Sequence, residues 1–249
     1  MGGRLSAAID RRFYAGYHDR WDDRLFRDKI MEHIDAQTLL LDVGAGAGVV
    51  KEMNFRGLAR AVYGVDPDER VLANDSLDER HVGYGNQMPF FEDSKFDLVI
   101  SNNVLEHLRR EDIYPFFREV KRVLKPEGLF LTKTPNKFHY VPVLSRLTPT
   151  WFHRMVNRTR GMLDEDTFPT CYMLNTAKEQ RLAASRTGFR VRQILFFEGR
   201  PEYMRITPLS YICGMLYERA VNRLNLDRLK VVMITTFEKE KPQEKSEAP

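Results

Sequence analysis

"LLLDVGAGAG", residues 39–48, is an apolar run that ends in one acid and three glycines set among small residues. A short aliphatic run of this kind reads as a buried strand, and the glycines after it mark a tight turn. With a helical stretch expected at 49–55, the segment reads strand, glycine turn, helix. At the carboxyl end of a first parallel strand such a turn cradles a small molecule, because glycine admits close backbone approach and a helix N-terminus offers free N–H groups. The spacing is G-x-G-x-G at Gly44, Gly46 and Gly48, where a dinucleotide fold would have G-x-G-x-x-G. Asp42 also stands two residues before the first glycine. A carboxylate there repels a pyrophosphate and attracts an ammonium group, so the implied ligand is zwitterionic.

Outward from this stretch, apolar runs at 38–43, 60–65, 80–85, 96–101 and 128–134 alternate with helical segments at 49–55, 68–72, 103–108 and 113–124, the last closed by the turn KPEG. Strand and helix in alternation predict an α/β fold, a doubly wound and mostly parallel sheet. A capping box, Thr176 with Glu179, opens a further helix that stops at Gly188. Strands at 189–198 and 229–238 bring the expected total to seven and flank a helix that starts at Thr207-Pro208. The expected organisation is one domain over 1–240, with lid helices in 1–35, insertions at 137–174 and 200–225 over the active site, and a disordered tail at 241–249.

The chain has 249 residues and 43% hydrophobic content, enough for a sizeable core. A net charge of +4 is a mild imbalance that disfavours nucleic acid as the partner. Cys171 and Cys213 form no metal or disulfide pattern, and no run is long enough for a transmembrane span, so a cytoplasmic location is expected.

The opening stretch resembles the first motif of class I S-adenosylmethionine-dependent methyltransferases, and "VYGVDPD" (62–68) resembles the acidic second-strand end that binds ribose. "GNQMPFFEDSKFDLVISNNVLEHL" (85–108) and "REVKRVLKPEGLFLTKTPN" (118–136) look like the continuation in the ubiquinone/menaquinone methyltransferase-like group. The resemblance implies S-adenosyl-L-methionine as cofactor. It places Asp42 near the ammonium, with Gly44, Ala45, Gly46 and Gly48 along the methionine and ribose portions. Asp66, followed by Pro67, would accept from both ribose hydroxyls. Asn86 would meet the adenine edge with Gln87 and Met88 beside the ring, and Asn102 would close the site through its backbone.

Methyl transfer from a sulfonium needs alignment, exclusion of water and a base only if the acceptor holds its proton. His139 and His107 are the candidate bases. On a helix Asn103, Glu106 and His107 would share one face, but Asn103 stands where metal-dependent relatives carry an acid, so no metal site is expected. Tyr17, His18, Asn103, Asn136 and Tyr140 are candidates for acceptor binding. Arg154 and Arg158, in a segment with no acid, suit a phosphate- or carboxylate-bearing small molecule, the alternative being a solvated basic face. The expected function is methyl transfer to a small or medium-sized acceptor at oxygen. A non-catalytic cofactor-binding protein and an RNA methyltransferase are the competing readings.

Overall fold

A computed structural model describes residues 2–17, 19–147 and 170–241. His18, Arg154 and Arg158 lie outside the described residues, as do most of the insertion expected at 137–174 and the tail from 242.

Seven strands form one sheet in the order β3-β2-β1-β4-β5-β7-β6. They are β1 Leu39–Val43, β2 Ala61–Asp66, β3 Glu79–Val82, β4 Phe96–Asn102, β5 Leu124–Pro135, β6 Phe189–Phe197 and β7 Val232–Lys239. The pairs β1·β2, β2·β3, β1·β4 and β4·β5 are all parallel. Strand order therefore reverses at β1, which has β2 on one side and β4 on the other. Ligands of doubly wound sheets bind in the crevice at that reversal, outside the carboxyl ends of the strands.

The helices are α1 Gly2–Phe13, α2 Trp21–Met31, α3 Ile113–Val123, α4 Tyr140–Leu147, α5 Ala177–Thr187 and α6 Pro208–Arg223. Both expected caps are made. The Thr176 hydroxyl accepts from the Glu179 N–H, and Gly188 closes α5 in the left-handed conformation at φ 73°. Thr207 caps α6 in a reciprocal box with Ser210, and Pro208 takes the first helical position, where its missing N–H costs nothing.

The described chain divides into two compact units. The first comprises described residues of Met1–Leu25, Pro135–Pro169 and Leu195–Met233, and the second those of Phe26–Thr134, Thr170–Ile194 and Ile234–Pro249. The core of the second is aromatic. Phe116, Phe117, Val120 and Val123 repeat at helical spacing on α3 and are buried, with Phe117 and Phe130 ring to ring at 5.8 Å and Phe130 stacked on Phe237 at 5.5 Å. The first unit has a smaller core of Ile9, Tyr14, Tyr211 and Met215.

Five local expectations change. The helices expected at 49–55, 68–72 and 103–108 are short 3-10 turns, Lys51–Met53, Glu69–Ala73 and Leu105–His107. Three residues make no helical face, so Asn103, Glu106 and His107 are not aligned as ligands; Asn103 itself has φ 55°. The third strand stops at Val82. The KPEG turn is absorbed into β5 as a bulge, with Glu127 at φ 64° and pairing that jumps from Phe96 with Leu124 to Leu98 with Leu129.

Candidate functional site

The site is built from the ends of β1 and β2 and the glycine loop, all in the second unit. Gly44, Gly46 and Gly48 all have positive φ, at 88°, 51° and 74°. At Gly44 a Cβ would lie 2.2 Å from Val104 Cγ2, and at Gly48 2.3 Å from Asn74 Oδ1. Side chains are excluded there by conformation and by space. The loop is held from below, since the Gly44 N–H donates to the Val65 carbonyl at 2.8 Å. From β2, Asp66 Oδ2 accepts from the Gly46 N–H at 2.9 Å and Oδ1 from the Asp68 N–H at 2.8 Å. Burial raises the Asp66 carboxyl above its ordinary range, and these two N–H groups oppose that shift. Each carboxylate oxygen keeps a further lone pair, so hydroxyl donors can still be accepted.

Asn74 is a residue that sequence reasoning missed. Buried at 2% exposure, it donates from Nδ2 to the Ala45 and Gly46 carbonyls at 3.1 Å each, and its Oδ1 accepts from the Ser76 N–H. Its amide clamps two consecutive carbonyls of the loop. An asparagine in "LAND" carries no local signal for this, because the contact is made across more than 25 residues of chain.

Asp42 is the decisive group. It is buried, its Oδ1 has no hydrogen-bond partner among the described residues, and it lines a cavity with Gly44 to Val50, Asn74 and Asn102. Burial first, and then the charge of Asp66, push its carboxyl up to about 7. A buried acid without a partner is costly, and a cation in the cavity would supply the missing one.

The other candidates fall apart into different roles. Asn86 donates from Nδ2 to Asp112 at 3.0 Å, and Gln87 is exposed. Met88 is fully buried in the aromatic core, its N–H held by Glu119 and its carbonyl by Arg122. Pro67 is exposed beside Asp66. Glu106 is buried, and burial pushes its carboxyl up to about 8 while Lys133 pulls against it; its backbone carbonyl accepts the Cys171 and Tyr172 N–H groups. His107 is half-buried on the turn after β4. Among the described residues no three His, Cys, Asp or Glu gather as a metal site.

In the first unit, Asn136 is buried and its Nδ2 meets the carbonyls of Arg228 at 3.0 Å and Lys230 at 2.8 Å, so it ties chain to chain. His139 is also buried. Its Nδ1 accepts from the Val141 N–H at 3.3 Å, and its Nε2 lies 3.4 Å from Glu198 Oε2. Its Nδ1 lone pair is thus engaged, its Nε2 has no hydrogen-bond partner among the described residues, and the residue is 1% exposed. Tyr140 packs edge-on against Tyr217 at 4.9 Å, and burial followed by Glu198 raises both phenols, Tyr217 to about 12. Tyr17 stays partly exposed, its ring edge-on to Tyr14 at 5.3 Å.

Residues 41–132 match the family model of the methyltransferase domain. A probable S-adenosylmethionine-dependent methyltransferase of Mycolicibacterium smegmatis is 35% identical over 108 residues, 41% of this chain and 40% of that protein. The ubiquinone biosynthesis O-methyltransferase of Bradyrhizobium diazoefficiens is 33% identical over 104 residues, 39% and 40% of the two chains. The chain thus matches these relatives over about 40% of their length. A SAM-dependent methyltransferase from Archaeoglobus fulgidus has the same fold, with a TM-score of 0.58 at 16% identity over 94% of this chain and 99% of that one. Fold, glycine loop and family match together define a Rossmann-like methyltransferase domain. Over this stretch the chain is similar to class I S-adenosylmethionine-dependent methyltransferases.

Proposed function

We propose that this chain transfers the methyl group of S-adenosylmethionine to a small or medium-sized acceptor, at oxygen. The observation that carries the reading is the buried Asp42 carboxylate at the cavity of the glycine loop, whose Oδ1 has no hydrogen-bond partner among the described residues. Asp42 would hold the cofactor's ammonium group and Asp66 its ribose hydroxyls, with the glycine loop lining the cavity beside Asp42. The sulfonium supplies its own leaving group, so the chain's residues orient the cofactor and keep water away. Transfer to oxygen is favoured by the relative named for ubiquinone O-methylation. His107 is the imidazole we assign to proton removal if the acceptor arrives protonated. Arg154 and Arg158 are proposed to hold an anionic acceptor.

Calorimetry with S-adenosylmethionine and S-adenosylhomocysteine tests the cofactor. Asp66→Ala should weaken both by about 1.5–3 kcal/mol, since two hydroxyls lose a charged acceptor. Unchanged affinity would overturn the ribose assignment. Labelled methyl transfer to a panel of phenols, carboxylates and phosphate esters tests the acceptor, and transfer only to amines would overturn the oxygen reading.

A further inference from the structure

We propose that α1 and α6 form a face that docks on an anionic lipid bilayer. In α6, Tyr211, Gly214, Met215 and Val221 are buried and turn inward, and Gly214 is seated so tightly that a Cβ would lie 2.7 Å from Pro201 Cβ. The opposite side of the same helix carries Leu209 at 73% exposure, Leu216 at 58% and Ile212 at 38%, with exposed Cys213 among them and exposed Ala220 one turn further on. Ile206, just before the helix, is 67% exposed. These positions recur at three- and four-residue spacing, so they make one continuous stripe. A stripe of this kind on the outside of a helix reverses the usual arrangement and calls for an apolar neighbour.

Charge says which neighbour. Arg219 and Arg223 extend the stripe at its carboxyl end, and both are exposed. The Arg219 guanidinium lies 4.7 Å from the ring centre of Phe13 on α1, and Arg12 lies over the same ring at 5.8 Å. The half-exposed Phe13 thereby joins the stripe with a third arginine. Each helix has a single acid, and both acids are engaged within the unit. Asp10 pairs with Arg205 and Tyr211, and Glu218 accepts from Tyr14 and Asn222. The α6 stripe is therefore apolar and cationic with no anion on it. Two copies of the chain meeting through it would bring their arginines into one contact with no acid to pair them, which disfavours self-association. Anionic headgroups over an acyl layer complement both features. A helix of 16 residues is about 24 Å long, short of the ~30 Å hydrocarbon core, so α6 would lie in the plane of the interface.

Vesicle co-sedimentation of the full chain tests this, with phosphatidylcholine alone and with phosphatidylcholine mixed with phosphatidylglycerol. The protein should bind the anionic vesicles and lose binding as salt rises. Leu209→Asp with Leu216→Asp should lower binding at least tenfold. Arg219→Gln with Arg223→Gln should lower it about fivefold for each arginine. Neither pair touches the cofactor cavity, so S-adenosylmethionine affinity should stay unchanged in both and serves as the check on folding. The proposal is overturned if the wild-type chain ignores anionic vesicles or if the aspartate pair binds them undiminished. A concentration-dependent dimer that the aspartate pair dissolves would overturn it too, and would assign the face to a second copy.

Discussion

Asp42 should give cofactor binding a bell-shaped pH dependence whose acid side belongs to the protein. Its carboxyl is pushed up to about 7 by burial and by Asp66, against ~3.9 for an ordinary aspartate. Without ligand, about half the molecules near neutrality hold Asp42 uncharged. The cofactor's α-amino group titrates near ~7.8 and must be protonated to pair with it. The fraction of encounters with both charges in place is about one half near pH 7.4, about one tenth at pH 6 and less than one tenth at pH 9. The Kd of S-adenosylmethionine should therefore be tightest near pH 7.4 and weaken about fivefold by pH 6. Asp42→Asn should abolish the acid limb, keep the alkaline one, and weaken binding at pH 7.4 by roughly ten- to a hundredfold, the scale of a lost charge-assisted contact. Stability runs the other way. The folded protein keeps the Asp42 proton up to about pH 7, while the unfolded chain releases it near ~3.9, so this group destabilises the apo protein progressively as pH rises through that window. The Asn variant should bind worse and yet melt higher than wild type at pH 8. Isothermal titration from pH 6 to 9, with thermal melts at pH 5 and 8, reads both effects. A Kd that is flat from pH 6 to 7.5, or an acid limb that survives in Asp42→Asn, would refute the reasoning.

Gly48→Ala should cost at least ~1–2 kcal/mol from its left-handed backbone alone, and the added Cβ, 2.3 Å from Asn74 Oδ1, should also displace the clamp on the loop and weaken cofactor binding. Urea titration and calorimetry on the same variant report the two losses separately. Glu198→Ala removes a carboxylate 3.4 Å from the His139 ring, both side chains being 2% exposed, and should cost about 1–3 kcal/mol on chemical denaturation, whereas Glu198→Gln, which keeps a polar neighbour for His139, should cost less. Thr176→Ala deletes the α5 cap and should cost ~1 kcal/mol, a fall of about 2–4 °C in Tm. Methyl transfer should survive EDTA; loss of turnover with rescue by magnesium would make Glu106 and His107 ligands after all.

The sheet and the glycine loop were legible because their signals are carried by backbone. Glycines at positive φ, a strand-end acid and a Thr-Pro helix start are conformational demands that few residue types meet, so they can be read locally. The short connections were less legible. Val49, Val50 and Met53 suggest an amphipathic helix, yet the glycine loop and its cavity take up the first of these residues and leave only a 3-10 turn at Lys51–Met53. The same applies after β4. Asn103 takes a left-handed φ and so starts no helix, which removes the ligand-like face that its spacing to Glu106 and His107 suggested.

Asn74 and His139 show the limit from opposite sides. Each is a polar residue whose role depends on what lies far away in the chain, and neither has a sequence neighbour that gives it away. Asn74 looks like a loop asparagine and is the clamp of the glycine turn. His139 looks like a base at the ligand edge of a sheet and is buried, with Val141 on one nitrogen and Glu198 3.4 Å from the other. A histidine becomes a base only if one nitrogen keeps a lone pair directed at the proton to be moved. His139 is buried with Nδ1 already accepting from Val141, so substituting it should move stability as well as any chemistry it performs. Turnover by a His139 variant therefore informs on mechanism only at a temperature where the variant is shown to remain folded.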